Sequence, residues 1–322
     1  MTQAKICIVI AYYGKWPVYL PVFLKGCEEN KAIIDVILIT DIDDPDVSFP
    51  SNVKTVNYSL DQIAERVETS FSIKTSNFRP YKMCDLKPAY GHLFPELIEG
   101  YNFWGFGDID LIYGNLRRYF TDRVLAKYEI MTFRDEWISG ALTVLKNTEK
   151  INTLFMRSKD YLSIFSSPIN HAFDECGKKH GILRTGVHPL DIEPDYSKND
   201  VNCFTQVVSK AAEDGDISFF QREYVKESLP FNEIIWHING RLTTAGSGEV
   251  ALFHAVWEKR FNRFVVPQWE IVPENLFITS TGFYAFPNRL WKLTHYYRLV
   301  VGSLLDFSVR AKASLKYRLG LK

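Results

Sequence analysis

The chain has 322 residues, 46% of them hydrophobic and 24% charged, with 38 basic residues against 38 acidic ones. That composition is globular and supports a large core, and zero net charge excludes a protein whose whole surface is a nucleic-acid footprint. Five cysteines (Cys7, Cys27, Cys84, Cys176, Cys203) with no Cys-x-x-C spacing argue against a zinc site or a disulfide framework and fit a reducing compartment.

Ile6 to Ala11 is a continuous β-branched run ended by Tyr12-Tyr13-Gly14, which predicts a buried parallel strand. It is too short, and too soon followed by Gly14 and Pro17, to be a signal peptide. No apolar stretch approaches the roughly 20 residues of a spanning helix, so a soluble, cytoplasmic protein is expected. A helical segment over 17–30 and a second strand over 33–40 complete a βαβ start, which favours an α/β fold. Ligands of such folds sit at the carboxyl ends of the strands. Tyr12, Tyr13 and Asp41 are therefore candidates to touch a nucleotide, although Asp41 also opens a turn-rich run in which it is a plain loop residue.

A short strand is expected over 53–57 and a helix over 59–69, with Ser59 as its N-cap. Lys82 and Asp85, three apart, share a helix face: Lys82 is either a cation beside a diphosphate or half of a surface salt bridge. Lys87-Pro88 marks a break or a new helix start, and residues 89–99 read as a helix leading into the most distinctive stretch of the chain. That stretch, Tyr101 to Leu116, drives a short aromatic run through Gly105 and Gly107 into Asp108-Ile109-Asp110. As a strand, it aims residues i and i+2 to one face, about 7 Å apart. Two hard oxygen ligands so placed suit Mg²⁺ or Mn²⁺, and with them a phosphate-bearing ligand. The chain holds four Asp-x-Asp pairs, but only Asp108/Asp110 is flanked on both sides by bulky apolar residues. Embedding a carboxylate pair in that way is costly unless a cation answers it.

Beyond it, helix is expected over 119–127, strand over 129–133 and 138–145, and helix over 147–162. The small trio Ser139-Gly140-Ala141 allows a ligand or backbone to approach closely. Residues 166–203 are loop-rich and polar, the kind of segment that carries acceptor-side chemistry. Short strand-like pieces fill 217–266. High aromatic content has two readings, a ring-rich core or sugar and base sites. From 288 to 322, eight basic residues (Arg289, Lys292, Arg298, Arg310, Lys312, Lys316, Arg318, Lys322) face the single acid Asp306, interleaved with apolar ones. This basic amphipathic segment suits an anionic membrane surface, or a helix packed on the core.

Gly107-Asp108-Ile109-Asp110 at a strand end, after an N-terminal βαβ unit, resembles the Asp-x-Asp motif of GT-A glycosyltransferases. Ser139-Gly140-Ala141 resembles the Asn-Ser/Ala-Gly strand of lipopolysaccharide galactosyltransferase- and glycogenin-like enzymes. Asn199-Asp200-Val201-Asn202 is similar to their Asp-Gln-Asp-x-x-Asn segment, with Asn199 in place of an acid. His254 to Arg260 resembles their His-x-x-Gly-x-Lys-Pro segment without its Gly and Pro. The chain also looks like a bacterial capsular or lipopolysaccharide glycosyltransferase.

The resemblance implies a Rossmann-like mixed sheet flanked by helices over residues 1–286, followed by the tail. It implies transfer of a sugar from a nucleotide-sugar, a UDP-sugar, to a glycan or lipid-linked glycan acceptor in surface polysaccharide synthesis. Asp108, Asp110 and His254 would hold Mn²⁺ or Mg²⁺, with Asp110 the direct ligand, Asp108 touching either the metal or the donor's ribose, and a packed core histidine the alternative for His254. Ser139, Gly140 and Lys259 would join the donor site, and Lys259, Arg260 or Lys82 would add positive charge to the leaving group. Asp174, Glu175, Asp200 and Asp135 are candidate bases for an inverting reaction. Two rivals stand beside this reading. A sugar-nucleotidyltransferase would want a glycine-rich phosphate loop that the first strand end lacks. A non-catalytic nucleotide- or glycan-binding protein at the membrane is the other.

Overall fold

The computed structural model describes residues 5–43, 48–75, 78–176, 201–230, 233–244, 246, 248–256, 261–286 and 290–318, the last thirteen by their backbone alone. In chain order its first strands are β1 (Ile6–Ala11), β2 (Ile34–Thr40), β3 (Val53–Asn57), β4 (Phe103–Gly107), β5 (Leu111–Tyr113), β6 (Ile130–Thr132), β7 (Leu142–Lys146) and β8 (Phe219–Gln221). They are followed by β9 (Val225–Lys226), β10 (Ile235–Ile238), β11 (Arg241–Thr244), β12 (Gly248–Val250), β13 (Leu252–His254), β14 (Leu276–Thr279) and β15 (Gly282–Ala285). Two compact units form, one of Met1–Trp16, Cys27–Ile109 and Leu116–Glu223, the other of Pro17–Gly26, Asp110–Asn115 and Tyr224–Lys322.

The first unit is mixed α/β, as its pattern implies. Its seven-stranded sheet runs β3-β2-β1-β4-β7-β6-β8. β3, β2, β1 and β4 are parallel, and β7 turns the direction by pairing antiparallel with β4. β1 is continuously apolar because it lies between two strands with both faces covered, and β4 is buried along its whole length. The glycines of β4 have a spatial cause. A Cβ on Gly105 would lie 2.6 Å from the Thr143 carbonyl oxygen, and one on Gly107 3.0 Å from that of Ala141. Their absence lets β7 close on β4 and brings Ala141 beside Asp108.

Local signals act as expected where they are strong. Ser59 caps the helix Leu60–Phe71 through a reciprocal box, its Oγ accepting from Gln62 N at 3.2 Å while Gln62 Oε1 accepts from Ser59 N at 2.8 Å. Two expected helices are instead broken. Residues 89–99 hold the end of a 3-10 turn at Lys87–Ala89, the helical turn Tyr90–Leu93 and a 3-10 turn at Pro95–Leu97, because Pro95 has no N–H to continue the ladder. Residues 147–162 divide into Glu149–Asn152, a 3-10 turn Leu154–Arg157 and the start of Tyr161–Ser166. The ladder expected from residue 138 begins at Leu142, leaving Ser139-Gly140-Ala141 outside it.

Much of the aromatic content serves the core. Phe71, Phe155, Tyr161 and Phe165 pack as a cluster with ring centroids 5.4 to 5.9 Å apart. Phe155 is wholly buried within it. Phe155→Ala should lower stability by about 3–5 kcal/mol in urea denaturation; a loss under about 1 kcal/mol would mean that the cluster does not hold this side of the sheet.

The second unit contains a three-stranded sheet, β5-β13-β9, and a five-stranded antiparallel sheet, β12-β11-β10-β14-β15. Ile112, Ile235, Leu242, Phe253, Leu276 and Phe283 belong to its core. The C-terminal helix Trp291–Arg318 packs on β14 and β15 through residues spaced four, three and four apart, one face of a helix. Trp291 meets Phe277 at 5.0 Å, His295 Nδ1 meets Thr281 Oγ1 at 2.7 Å, and the Arg298 guanidinium lies 5.1 Å over the Tyr284 ring. Gly302 completes the row, since a Cβ there would come within 2.5 Å of Arg263 Cα. Among the described residues, no helix is long and apolar enough to cross a membrane.

Candidate metal and donor site

β4 ends at Gly107, and the chain passes through Asp108-Ile109-Asp110 before β5 begins at Leu111. Asp108 N donates to Ala141 O at 3.0 Å, which extends the pairing with the β7 side by one residue. The Asp108 carboxylate Oδ1 accepts from Lys87 Nζ at 2.7 Å. That ammonium also donates to Gly140 O at 2.8 Å and stands 3.4 Å from Asp174 Oδ2. Burial opposes the Lys87 charge, yet Asp108 and Asp174 outweigh it and hold the ammonium well above the ordinary lysine range. Burial pushes the Asp174 carboxyl well up against the pull of Lys87, with Glu175 adding to the push. Asp174 thus keeps its proton more readily than a surface carboxyl, and Lys87 is answered chiefly by Asp108.

Gly140 is the floor of this cluster. Its N–H donates to Glu175 Oε1 at 2.9 Å, and a Cβ at that position would strike the Asp174 carboxylate. The acidic pair rests on bare backbone, which explains the glycine more directly than a ligand's approach does.

The turn that carries Asp174 and Glu175 is pinned from below. Lys82 and Asp85 are both wholly buried, paired at 2.7 Å. Lys82 also donates to the Ile164 carbonyl at 2.5 Å and the Ile169 carbonyl at 3.0 Å, while Asp85 accepts from His171 N and Phe173 N. Lys82 therefore has its three donors engaged inside the protein. Its expected place as a cation beside a diphosphate is corrected: the ammonium facing the Asp-x-Asp triplet is that of Lys87. A surface salt bridge is equally wrong for Lys82, because neither partner reaches solvent.

In the second unit, β13 pairs antiparallel with β5, setting His254 opposite Leu111. Ala255 N donates to Asp110 O at 3.0 Å, and His254 Nε2 lies 3.4 Å from Asp110 Oδ1. On its other side, His254 Nδ1 meets Glu227 Oε1 at 3.1 Å. Burial alone would lower the imidazolium, but Asp110 and Glu227 outweigh it and push the histidine up to about 10. A carboxylate on one ring nitrogen fixes the tautomer and leaves the other nitrogen for a cation, the usual support of a metal-binding histidine. Asp108, Asp110 and His254 offer ligand atoms within 4.8 Å of one another. Two carboxylates and an imidazole with such support fit a divalent cation.

The remaining candidates fall in different places. Tyr12 is half-buried and stacks on Trp16 at a centroid distance of 6.0 Å, with Phe49 edge-on to Trp16. Asp41 is exposed at the end of β2. Tyr13 is buried, and its hydroxyl donates to Tyr58 O at 2.9 Å, so it serves the core and not a ligand. Ser139 is fully buried behind Gly140, with its N–H on Thr132 Oγ1 at 2.9 Å, which removes it from direct contact with a donor. Asp135 is exposed on the link after β6. Asp200, Lys259 and Arg260 lie outside the described residues. Two site residues escaped the motif reading. Lys87 sits in an apolar run beside Pro88, a position that hints at burial, whereas nothing local marks Glu227.

A family model described as "Family of unknown function (DUF6625)" matches residues 8–260. No curated protein matches the chain. Among solved structures, the apo form of mouse xyloside xylosyltransferase 1 is similar at 10% identity and a TM-score of 0.41, over 79% of this chain and 99% of that one. An active-site mutant of LgtC is similar at 11% identity and a TM-score of 0.31, over 51% of this chain and 65% of that one. The galactosyltransferase LgtC with donor and acceptor sugar analogs is similar at 12% identity and a TM-score of 0.31, over 53% and 71%.

Proposed function

The chain belongs to this family of unknown function, and from the chemistry of its site we propose that it is a metal-dependent GT-A glycosyltransferase using a nucleotide-sugar donor. The observation that carries the reading is the Asp110–His254–Glu227 chain of contacts beside Asp108, a cation site built at the end of a buried strand. Asp108, Asp110 and His254 would hold Mn²⁺ or Mg²⁺, the imidazole favouring Mn²⁺ over Mg²⁺. The bound cation would neutralise charge on the departing diphosphate as Lewis acid and template.

The chain's own residues have separate tasks. Glu227 orients the His254 ring. Lys87 fixes the Asp108 carboxylate and, through Gly140 O, the backbone on which Glu175 rests. Tyr12, stacked on Trp16, offers a ring face for the base at the strand ends where such folds bind nucleotides. Asp41, exposed just past β2, is assigned to the nucleotide. Asp174 and Glu175 are assigned the sugar and acceptor side as carboxylates beside Lys87 and Gly140, and Asp200 that side and Lys259 the diphosphate on the resemblance of their segments. The donor is a UDP-sugar, the acceptor a glycan or lipid-linked glycan, and a membrane face is the setting that the basic C-terminal segment suits.

Incubation with a panel of UDP-sugars and Mn²⁺ tests the reading through UDP release. Release from one donor supports it; none from any, with glycan acceptors present, counts against a transferase, and pyrophosphate from UTP and a sugar 1-phosphate would favour a nucleotidyltransferase.

The His254 environment adds a pH prediction. Its imidazole must lose a proton before it binds a cation, and that proton is held up to about 10. Mn²⁺ affinity should therefore rise about tenfold per pH unit between roughly 6.5 and 8.5 and level off only near the histidine's own value. Calorimetric titration across that range checks it, and a flat profile would mean that cation binding displaces no proton from His254 there.

A further inference from the structure

The C-terminal helix carries apolar residues on the side where a packed helix is normally polar. Its sheet-facing row is Trp291, His295, Arg298 and Gly302. Leu293, Tyr296, Tyr297, Val300 and Leu304 project from the opposite side, each between 62% and 69% exposed. At 100° per residue these five fall within one arc of about 100°, centred nearly opposite the packed row. Among the described residues nothing covers this stripe, and a stripe of that width on a helix already anchored by its other face is a docking surface.

Charge identifies that occupant. The whole chain is neutral, but only because its two parts cancel. Residues 288–322 hold eight basic residues and one acid, while thirty of the 38 basic and 37 of the 38 acidic residues lie before them. Four of the eight cations, Arg310, Lys312, Lys316 and Arg318, lie in the last third of the same helix. A second copy of this chain would meet the stripe with a like-charged segment. An anionic lipid surface matches both features, taking aromatic and aliphatic side chains into the headgroup boundary and attracting Lys and Arg.

We propose that the helix Trp291–Arg318 lies flat on an anionic bilayer surface through the Leu293–Tyr297–Val300–Leu304 stripe, anchored meanwhile to its own sheet by Trp291, His295 and Arg298. The helix does not span the bilayer. At 1.5 Å per residue it covers about 40 Å along the surface. Docking is independent of the transfer chemistry and is read without any nucleotide.

Flotation of the full chain with phosphatidylcholine vesicles, with and without phosphatidylglycerol, tests this. Binding is expected only with phosphatidylglycerol and should fall steeply with salt. Leu293→Ser/Val300→Ser/Leu304→Ser should abolish it while the melting curve stays unchanged, since these side chains are exposed. Arg310→Gln/Lys312→Gln should weaken it on the order of twentyfold. Equal binding to neutral and anionic vesicles, or undiminished binding by the triple variant, overturns the proposal. So does a dimer in analytical ultracentrifugation that the triple variant disrupts, with no vesicle binding by either protein.

Discussion

Asp110→Asn is expected to weaken UDP binding in Mn²⁺ by more than about a hundredfold while leaving the fold intact. Groups that merely support a metal ligand change affinity by about 10–100-fold when removed, and a direct ligand should exceed that. Asn keeps the volume of the side chain and can still face His254, whose other nitrogen remains on Glu227. What it removes is the charge and the second carboxylate oxygen. The effect should therefore appear in metal-dependent binding and not in the circular dichroism spectrum. Calorimetric UDP affinity in Mn²⁺ that matches the unaltered protein would refute Asp110 as a ligand.

Lys87→Met is expected to lower stability by about 3 kcal/mol, read by urea denaturation. Removing one partner of a buried ion pair typically costs about 3–5 kcal/mol, because the other charge stays desolvated. The lower end applies here, since Lys87 is 6% exposed but Asp108 is 31% exposed and recovers some hydration. Adding Asp108→Asn to Lys87→Met should restore part of the loss, because the stranded charge is then gone. Additive losses would mean that Lys87 acts on packing and not through the carboxylate. The variant should also lose transferase activity, as both Asp108 and the Gly140 backbone depend on that ammonium.

How far the chain could be read from its residues alone depends on how local each feature is. β1 to β4 were legible because short β-branched and aromatic runs bounded by Gly, Pro and Asp carry their own punctuation. The Ser59 cap was legible for the same reason. Asp108 and Asp110 stood out from three other Asp-x-Asp pairs by their apolar flanks, and those flanks are buried. Lys82 misled because an i,i+3 ion pair looks the same in sequence whether it lies in water or in the core. Lys87 and Glu227 act on partners 21 and 27 residues away, a separation that no local pattern records. The helix expected over 89–99 breaks for a local reason that the sequence also carries, since Pro95 has no N–H to continue the ladder. The C-terminal segment showed its charge and its apolar content in sequence. Only the structure separates the apolar residues into a packed row and an exposed stripe.

The central claim is that the Asp-Ile-Asp triplet and His254 hold a divalent cation for a nucleotide diphosphate. Titration of Mn²⁺ followed by electron paramagnetic resonance measures this directly, because the free-ion signal falls as the cation binds. The account predicts one bound Mn²⁺ per chain, tightened by UDP and lost in Asp110→Asn. A free-ion signal that persists in the presence of UDP, together with UDP affinity unchanged by EDTA, would contradict it.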